Sequence, residues 1–172
     1  MKHFLIAVTV LLIAAACNQT TNTTDPLVNG KLNKAWLKKL EKESDSTYHK
    51  RYFRRDFVTA WYFYNKKDSS VCNEMRDSSE NVRQVLITKN DIRTFYAQFY
   101  PNGQVLMKAG LNKTGQLEGE TINYYSDGKI SSKGNYANGL LSGNWEYYDA
   151  NGKLVKTEQF DSNGAIKNTV TY

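Results

Sequence analysis

A glycine recurs at a nearly constant interval through the second half of the chain, and this spacing restricts the folds open to it. The intervals are 12, 13, 11, 13 and 12 residues, and the residue before each glycine is Asn, Asp or Thr. Asn-Gly and Asp-Gly supply the positive φ angles that tight hairpin turns require. Each unit is therefore predicted to be one strand followed by one turn. The glycines are Gly103, Gly115, Gly128, Gly139, Gly152 and Gly164.

An aromatic residue or a leucine precedes each turn, and an aliphatic residue follows it, so the two can pair across adjacent strands. One hairpin is marginally stable alone, which favours stacking of the units into a continuous sheet. The predicted fold class is all-β for the most part, an antiparallel β-meander of hairpin repeats with one short N-terminal helix. The expected pairs are Tyr100 with Val105, Leu111 with Leu117, Tyr125 with Ile130, Tyr136 with Leu141, Tyr148 with Leu154, and Phe160 with Ile166.

A second glycine series has twice this period. Gly110 and Gly134 are 24 residues apart, as are Gly119 and Gly143. The first of the two segments has one extra residue before its tyrosines, and a β-bulge would absorb that difference.

Three consecutive motifs resemble the MORN-repeat family, in particular its bacterial variant. They read Tyr124-Tyr125-Ser-Asp-Gly128-Lys129, Gly134-Asn-Tyr136-Ala-Asn-Gly139 and Leu141-Ser-Gly143-Asn-Trp145-Glu-Tyr147-Tyr148. The resemblance covers about residues 97–172. It implies a twisted antiparallel sheet that serves as a scaffold, a dimerisation surface or a membrane-associated module, and it brings no catalytic residues. Some bacterial members carry an antitoxin label, which gives an antitoxin-like role as an alternative.

The amino terminus has the composition of an export signal. A basic start is followed by 13 uncharged residues, Phe4 to Ala16, which are too few to span a bilayer. Ala14-Ala15-Ala16-Cys17 resembles the lipobox of bacterial lipoproteins, which predicts cleavage after residue 16 and lipidation of Cys17. The alternative is an ordinary cleavage site with an incidental cysteine. The expected location is the bacterial cell envelope, lipid-anchored, in the outer membrane or facing the periplasm rather than in the cytoplasm.

These features divide the chain into four segments. Residues 1–16 are the signal peptide, 17–30 a polar lipid-anchored tether, 31–96 an unassigned region with a helix and strands, and 97–172 the repeat sheet. Leu32, Trp36 and Leu40 recur at helical spacing and predict a helix over about 32–43, which either caps the sheet or lies on the membrane.

Extended segments are also expected before the repeats. Residues 56–65 are aromatic and β-branched, which is typical of a strand buried on both faces, or nearly so. Residues 65–80 are interpreted as loops around a short segment near 71–75, and strands are predicted to follow at about 82–89 and 92–100.

The positive charge is concentrated beside the predicted anchor. Residues 31–55 contain nine Lys or Arg and three acidic residues, whereas residues 56–172 have no net charge. This distribution argues against nucleic-acid binding, which needs its charge on the binding face. Contact with anionic lipid is one reading of the basic segment, and a solvated charged surface is the other. The lipid-contact residues would be Lys34, Lys38, Lys39, Arg54 and Arg55.

Few residues are available for catalysis or metal binding. After cleavage and acylation, His49 is the only histidine and Cys72 the only free cysteine, so an internal disulfide and a His- or Cys-rich zinc site are excluded. Glu118 with Glu120, or Asp45 with His49, are the pairs that an envelope enzyme could use, and both are typical of solvated surface residues. We therefore expect no catalytic residue, no metal and no cofactor.

A binding or scaffolding protein with a protein partner is the function that this sequence favours. Tyr and Trp are enriched at interfaces, and a single-layer sheet has a face that it cannot bury by itself. Two aromatic rows are predicted on opposite or adjoining faces, one packed inward and the other exposed. The alternative is that both rows are core or cross-strand pairs. The candidate binding residues are Tyr124, Trp145 and Tyr147 in one row, and Tyr100, Tyr125 and Tyr148 in the other.

Overall fold

The computed structural model of the protein describes residues 25–51 and 59–172. The signal segment, Cys17, Arg54 and Arg55 lie outside these residues. A hairpin of β1 (Leu27–Val28) and β2 (Lys31–Leu32) is followed by helix α1 (Lys34–Glu43). The remaining strands are β3 (Ser46–Arg51), β4 (Thr59–Asn65), β5 (Ser70–Arg76), β6 (Val82–Lys89), β7 (Ile92–Phe99), β8 (Val105–Leu111), β9 (Leu117–Tyr124), β10 (Ile130–Ala137), β11 (Leu140–Tyr148), β12 (Leu154–Phe160) and β13 (Ile166–Thr171).

Strands β3 to β13 form one sheet in the order of the sequence. Within the described ranges it has eleven strands, and every neighbouring pair is antiparallel. This confirms the predicted meander and its single short helix. The sheet is continuous across the start of the predicted repeat region, because residue 97 lies within β7.

Most turns of the glycine repeat are longer than the tight hairpin turns that the sequence predicts. Among the six repeat turns, only the one at Asn138 and Gly139 has positive φ angles at both residues, 50° and 82°. At the other five repeat glycines, the glycine alone has a positive φ angle. Asp149 shows the reason: its Oδ1 accepts hydrogen bonds from the backbone N–H groups of Asn151 (2.8 Å) and Lys153 (2.9 Å), which holds a turn that ends at the glycine.

Four of the six expected cross-strand pairs have the predicted register, for example Tyr148 with Leu154 and Phe160 with Ile166. Tyr100 and Tyr125 do not pair as predicted, and Phe99 and Tyr124 take their places. The reason is that Tyr100 and Tyr125 are themselves the first residues of their turns. The carbonyl of each accepts a hydrogen bond from the glycine three residues later, at 2.9 Å.

Helix α1 packs on one face of the sheet. Trp36 and Leu37 are 8% and 7% exposed and join a core with Phe63, Val85 and Phe99. The helix therefore caps the sheet, which is one of its two predicted roles. Its lysines Lys34, Lys38 and Lys39 are exposed.

The helix starts later than predicted because Asn33 forms its N-cap. The Asn33 Oδ1 accepts hydrogen bonds from the backbone N–H groups of Ala35 (3.1 Å) and Trp36 (3.2 Å). No helix in the described part of the chain is long and apolar enough to cross a membrane.

Candidate binding face of the sheet

Strand β4 places its aromatic side chains on two faces. Phe63 is buried in the core beneath α1, whereas Tyr62 and Tyr64 lie on the opposite face, because successive side chains alternate along a strand. Tyr62 is half-buried and Tyr64 is 37% exposed, so this face of the strand is less completely buried than predicted. Its residues 56–58 lie outside the described part of the chain.

The surface opposite α1 carries a band of tyrosines and aliphatic residues across β3 to β8. Cross-strand register brings its members together: Tyr48 lies opposite Tyr62, and Leu86 lies opposite Tyr96. Within residues 25–51 and 59–172, only strands of the sheet itself border this surface. We refer to it as the tyrosine face; its residues are Tyr48, Tyr62, Tyr64, Val71, Met75, Leu86, Tyr96 and Met107.

Exposure is greatest at one end of the tyrosine face. Tyr48 is 61% exposed, and its ring centroid lies 5.8 Å from that of Tyr62. Most of the other members are half-buried between their neighbours on the strands. The face is therefore apolar and aromatic, yet accessible to a partner.

Hydrogen bonds fix the middle of the tyrosine face. Gln98 Nε2 donates to the Tyr96 hydroxyl at 2.7 Å, and that hydroxyl donates to Gln84 Oε1 at 3.3 Å. Burial raises the pKa of Tyr96, which keeps its hydroxyl protonated and available as a donor. A surface whose side chains are already held in place loses less conformational entropy when a partner binds.

The structure places Trp145 in the interior of the packing rather than at a free surface. Its side chain is 2% exposed and lies over Gly134, and its ring centroid is 5.3 Å from that of Tyr136. The indole Nε1 donates to the Asn135 carbonyl at 3.0 Å. A partner cannot contact this ring without a rearrangement of the sheet.

Tyr100 and Tyr125 connect neighbouring turns. The Tyr100 hydroxyl donates to the carbonyl of Tyr124 at 2.9 Å, and the Tyr125 hydroxyl donates to the carbonyl of Tyr148 at 2.7 Å. Each bond spans one double unit of the repeat. These hydroxyls stabilise the stacking of the turns.

The remaining three predicted binding residues are distributed over both faces. Tyr124 packs against the core on the α1 side. Tyr147 is on the other face, where Lys156 Nζ lies 4.1 Å from its ring centroid. Tyr148 is again on the α1 side, and its hydroxyl donates to Glu146. The expected row of Tyr124, Trp145 and Tyr147 is therefore divided, since Tyr124 lies on the face opposite to the other two.

The tyrosine face was not identified from the sequence. The signal was present in β4, where Trp61 and Phe63 alternate with Tyr62 and Tyr64. Aromatic residues at both odd and even positions of a strand are also compatible with a strand buried on both faces. The sequence does not show that one of the two faces is uncovered.

A buried charge cluster lies between α1 and the sheet. Glu74 is 0% exposed, and its Oε2 accepts hydrogen bonds from Arg76 Nε (3.1 Å) and NH2 (2.8 Å). The same NH2 donates to Glu41 Oε1 of the helix at 2.8 Å, and the guanidinium lies 5.3 Å from the Trp61 ring centroid. The cluster therefore joins α1 to β5.

Burial shifts the proton affinities inside this cluster. It raises the pKa of Glu74 to about 7, although the hydrogen bond from Arg76 acts in the opposite direction. Cys72, the lone cysteine of the predicted mature chain, is 2% exposed, and burial raises the pKa of its thiol. Its position is that of a small core side chain.

The two pairs considered for catalysis are arranged differently from the sequence expectation. Gly119, between Glu118 and Glu120, has a φ of 74°, which interrupts the alternation that would place both carboxylates on one face. His49 lies in β3 and stacks on Trp61 at 4.7 Å, while Asp45 Oδ2 accepts a hydrogen bond from the Lys66 N–H at 2.6 Å. In the described ranges, no group of three or more His, Cys, Asp or Glu side chains could hold a metal ion.

Taken together, a continuous meander, a regular turn spacing and one uncovered aromatic face define a repeat-built protein. A family model described as the MORN repeat variant matches residues 117–138 and 141–162. The two matches correspond to β9–β10 and β11–β12 with their turns. MORN repeats indicate a binding or scaffolding role for this part of the chain.

Comparison with other known proteins adds little to the family match. No curated protein matches the chain. Among solved structures, the accessory secretory protein 1, 2 and 3 complex of Streptococcus pneumoniae is similar at 16% identity and a TM-score of 0.36, over 55% of this chain. A TarM mutant of S. aureus in complex with fondaparinux, alpha-GlcNAc-glycerol and UDP is similar at 9% identity and a TM-score of 0.28, over 88% of this chain. This chain spans only 18% and 24% of those two chains.

Proposed function

We propose that this protein is an exported bacterial lipoprotein, anchored through Cys17 in the cell envelope, that binds a protein partner through its tyrosine face. The observation that carries the proposal is the uncovered aromatic surface on β3 to β8, where the opposite face of the sheet packs against α1. The matched MORN repeats support the general role of binding or scaffolding.

The composition of the tyrosine face favours a protein over other partners. Its members are the uncharged residues tyrosine, methionine, leucine and valine. Lys50 lies at its border, on the same side of the edge strand β3 as Tyr48. Tyr and Met are enriched in protein interfaces, whereas nucleic acids and anionic lipids need cations on the surface that contacts them. The six strands that carry the face extend over about 24 Å at the usual strand spacing, which is wide enough for a partner domain.

The proposed anchor would hold the sheet near a membrane without inserting it. The polar tether precedes α1, and the exposed lysines Lys34, Lys38 and Lys39 lie on the same helix. These cations favour contact with anionic headgroups as a secondary role, with α1 remaining packed on the sheet. Arg54 and Arg55 belong to the same basic segment in the sequence.

The lipid anchor predicts a specific labelling result. Wild-type protein produced in a bacterium that is fed radioactive palmitate should carry the label and fractionate with membranes. The Cys17→Ser variant should lose the label, because its hydroxyl does not replace the thiol in lipoprotein acylation. Cys72→Ser serves as the control and should remain labelled, since Cys72 is buried. Equal labelling of wild type and Cys17→Ser would refute the anchor.

The protein-binding proposal predicts loss of a partner when the tyrosine face is altered. Full-length protein should be cross-linked in intact cells, solubilised in detergent and purified with its partner. Tyr48→Ala combined with Leu86→Ala should reduce partner recovery at least about tenfold, because buried aromatic and aliphatic anchors dominate interface energies. Lys34→Gln combined with Lys38→Gln is the control, and it should retain the partner.

Two results would contradict this proposal. One is recovery of the same partner by wild type and the Tyr48/Leu86 variant. The other is loss of the partner in the lysine variant alone, which would place the contact on the basic segment. Circular dichroism of the purified variants should show that both retain the sheet.

A further inference from the structure

Beyond the reach of α1, strands β10 to β13 leave the helix side of the sheet open. A row of carboxamide side chains crosses these strands: Asn144 lies opposite Gln159, and Gln159 lies opposite Asn168. Asn135 on β10 adjoins the row and lines a cavity with Asn144. We call these four residues the amide row, and all four are exposed.

The side chains of the amide row have no hydrogen-bond partner within the described residues. Trp145 Nε1 donates to the backbone carbonyl of Asn135, which leaves the Asn135 carboxamide itself unused. Each carboxamide presents two N–H donors and one oxygen acceptor. By contrast, Gln84 and Gln98 on the tyrosine face are already bonded to Tyr96.

The charges beside Asn135 and Asn144 do not favour an anionic ligand. Lys133 lines the second cavity, and its Nζ lies 3.0 Å from Glu146 Oε2. Glu120 lines the same cavity. A polyanion would therefore meet a carboxylate and a cation that is already paired, so the row favours a polar ligand without negative charge.

Two shallow cavities follow the row. One of about 320 Å³ is lined by Asn144, Gln159 and Asn168, and a second of about 170 Å³ is lined by Asn135 and Asn144. Asn144 and Glu146 contribute to both, so the cavities form one polar track across four strands. The neighbouring cross-strand row contains the apolar side chain of Val170, which is 41% exposed.

We propose that the amide row binds a neutral polysaccharide. Each hydroxyl of a sugar ring both donates and accepts hydrogen bonds, which is the complement of a carboxamide. The strands are about 4.8 Å apart, close to the length of one pyranose ring along a glycan, so the track of about 14 Å would hold three consecutive rings. Val170 offers an apolar contact for the C–H face of a ring.

This site is separate from the tyrosine face. It lies on the opposite surface of the sheet and on other strands, so it does not depend on the proposed protein partner. A protein with both sites would connect a protein partner to a glycan.

Affinity electrophoresis of the full-length protein in detergent tests the proposal. The native gels would contain a soluble β-glucan, an α-glucan, a mannan or a galactan, and N-acetylglucosamine oligomers would compete for binding. At least one neutral polymer should retard the wild type. Asn144→Ala combined with Gln159→Ala and Asn168→Ala should weaken the retardation at least about tenfold, because three sets of hydrogen bonds are removed.

The control variant changes the opposite face of β13. Thr169→Ala combined with Thr171→Ala should be retarded as strongly as wild type, since both residues are exposed there and lie outside the amide row. Circular dichroism should show an unchanged sheet in both variants. The proposal is overturned if no neutral polymer retards the wild type, or if the triple variant is retarded equally. It is also overturned if only charged polymers bind and salt abolishes that binding.

Discussion

Trp145→Ala is expected to lower the free energy of unfolding by about 3–5 kcal/mol, the range for truncation of a buried tryptophan. The ring is 2% exposed although it lies on a single-layer sheet, because Gly134, Tyr136 and Tyr147 surround it. Its removal would also leave the Asn135 carbonyl without the indole donor. Urea unfolding followed by circular dichroism would measure the effect, since the fluorescence of the variant is altered by the substitution itself.

The contact between Trp145 and Gly134 makes a sharper test. A Cβ atom added at Gly134 would lie less than 3.0 Å from three atoms of the Trp145 ring, so Gly134→Ala should destabilise the wild type by about 1–3 kcal/mol. In the Trp145→Ala background the same change should be close to neutral, because the clash is gone. A double-mutant cycle reports this coupling directly. Equal effects of Gly134→Ala in both backgrounds would contradict the packing described here.

Arg76→Met is expected to cost about 3–5 kcal/mol at pH 8, because it leaves the carboxylate of Glu74 buried without a charged partner. The loss should be smaller at pH 5, where Glu74 becomes protonated and neutral. Adding Glu74→Gln to Arg76→Met should recover most of the stability at pH 8. Lys89→Met is the matched control: its ion pair with Asp68 is exposed, and its removal should cost at most about 1 kcal/mol.

The same cluster predicts a pH dependence in the otherwise unmodified protein. Burial raises the pKa of Glu74 from 4.5 to about 7, so the folded state binds this proton more tightly than the unfolded state. The stabilisation that protonated Glu74 provides is therefore fully present below pH 4.5. As the pH rises towards 7, its loss lowers the free energy of unfolding by roughly 3 kcal/mol. Arg76 retains its positive charge over this range.

Glu74→Gln should remove this part of the pH dependence. The difference between the free energies of unfolding of Glu74→Gln and the wild type should rise in favour of the variant between about pH 4.5 and pH 7, and then remain constant. Thermal unfolding at a series of pH values gives the comparison. Parallel curves for the two proteins across this interval would show that Glu74 has the same pKa in the folded and unfolded states.

The sequence predicted the local features of the second half of the chain well. Turn residues act over four or five positions, so the recurrence of glycine at 12-residue intervals predicted the alternation of strand and turn. The expected strands at 82–89 and 92–100 correspond to β6 and β7 within one residue at each end. The family match is confined to residues 117–162, where the quoted motifs are most complete.

The sequence was less informative about the candidate sites. It named Trp145 as a candidate binding residue, left open which of the two rows is exposed, and missed both the tyrosine face and the charge cluster around Glu74. These features depend on which other residues pack against each side chain in the folded protein. Trp145 is buried because Gly134, on the neighbouring strand, leaves room for its ring, and the sequence shows no such pairing until the register is known.

Thus the sequence by itself determined the order of strands and turns, the antiparallel meander and the presence of one short helix, because turn chemistry and hydrophobic periodicity are local properties. Only the tertiary structure decided which face each side chain occupies. Side chains alternate with a period of two, so one bulge or one positive φ angle, as at Gly119 and Gly143, moves the following residues to the other face. The position of α1 then determined which face became core and which remained open.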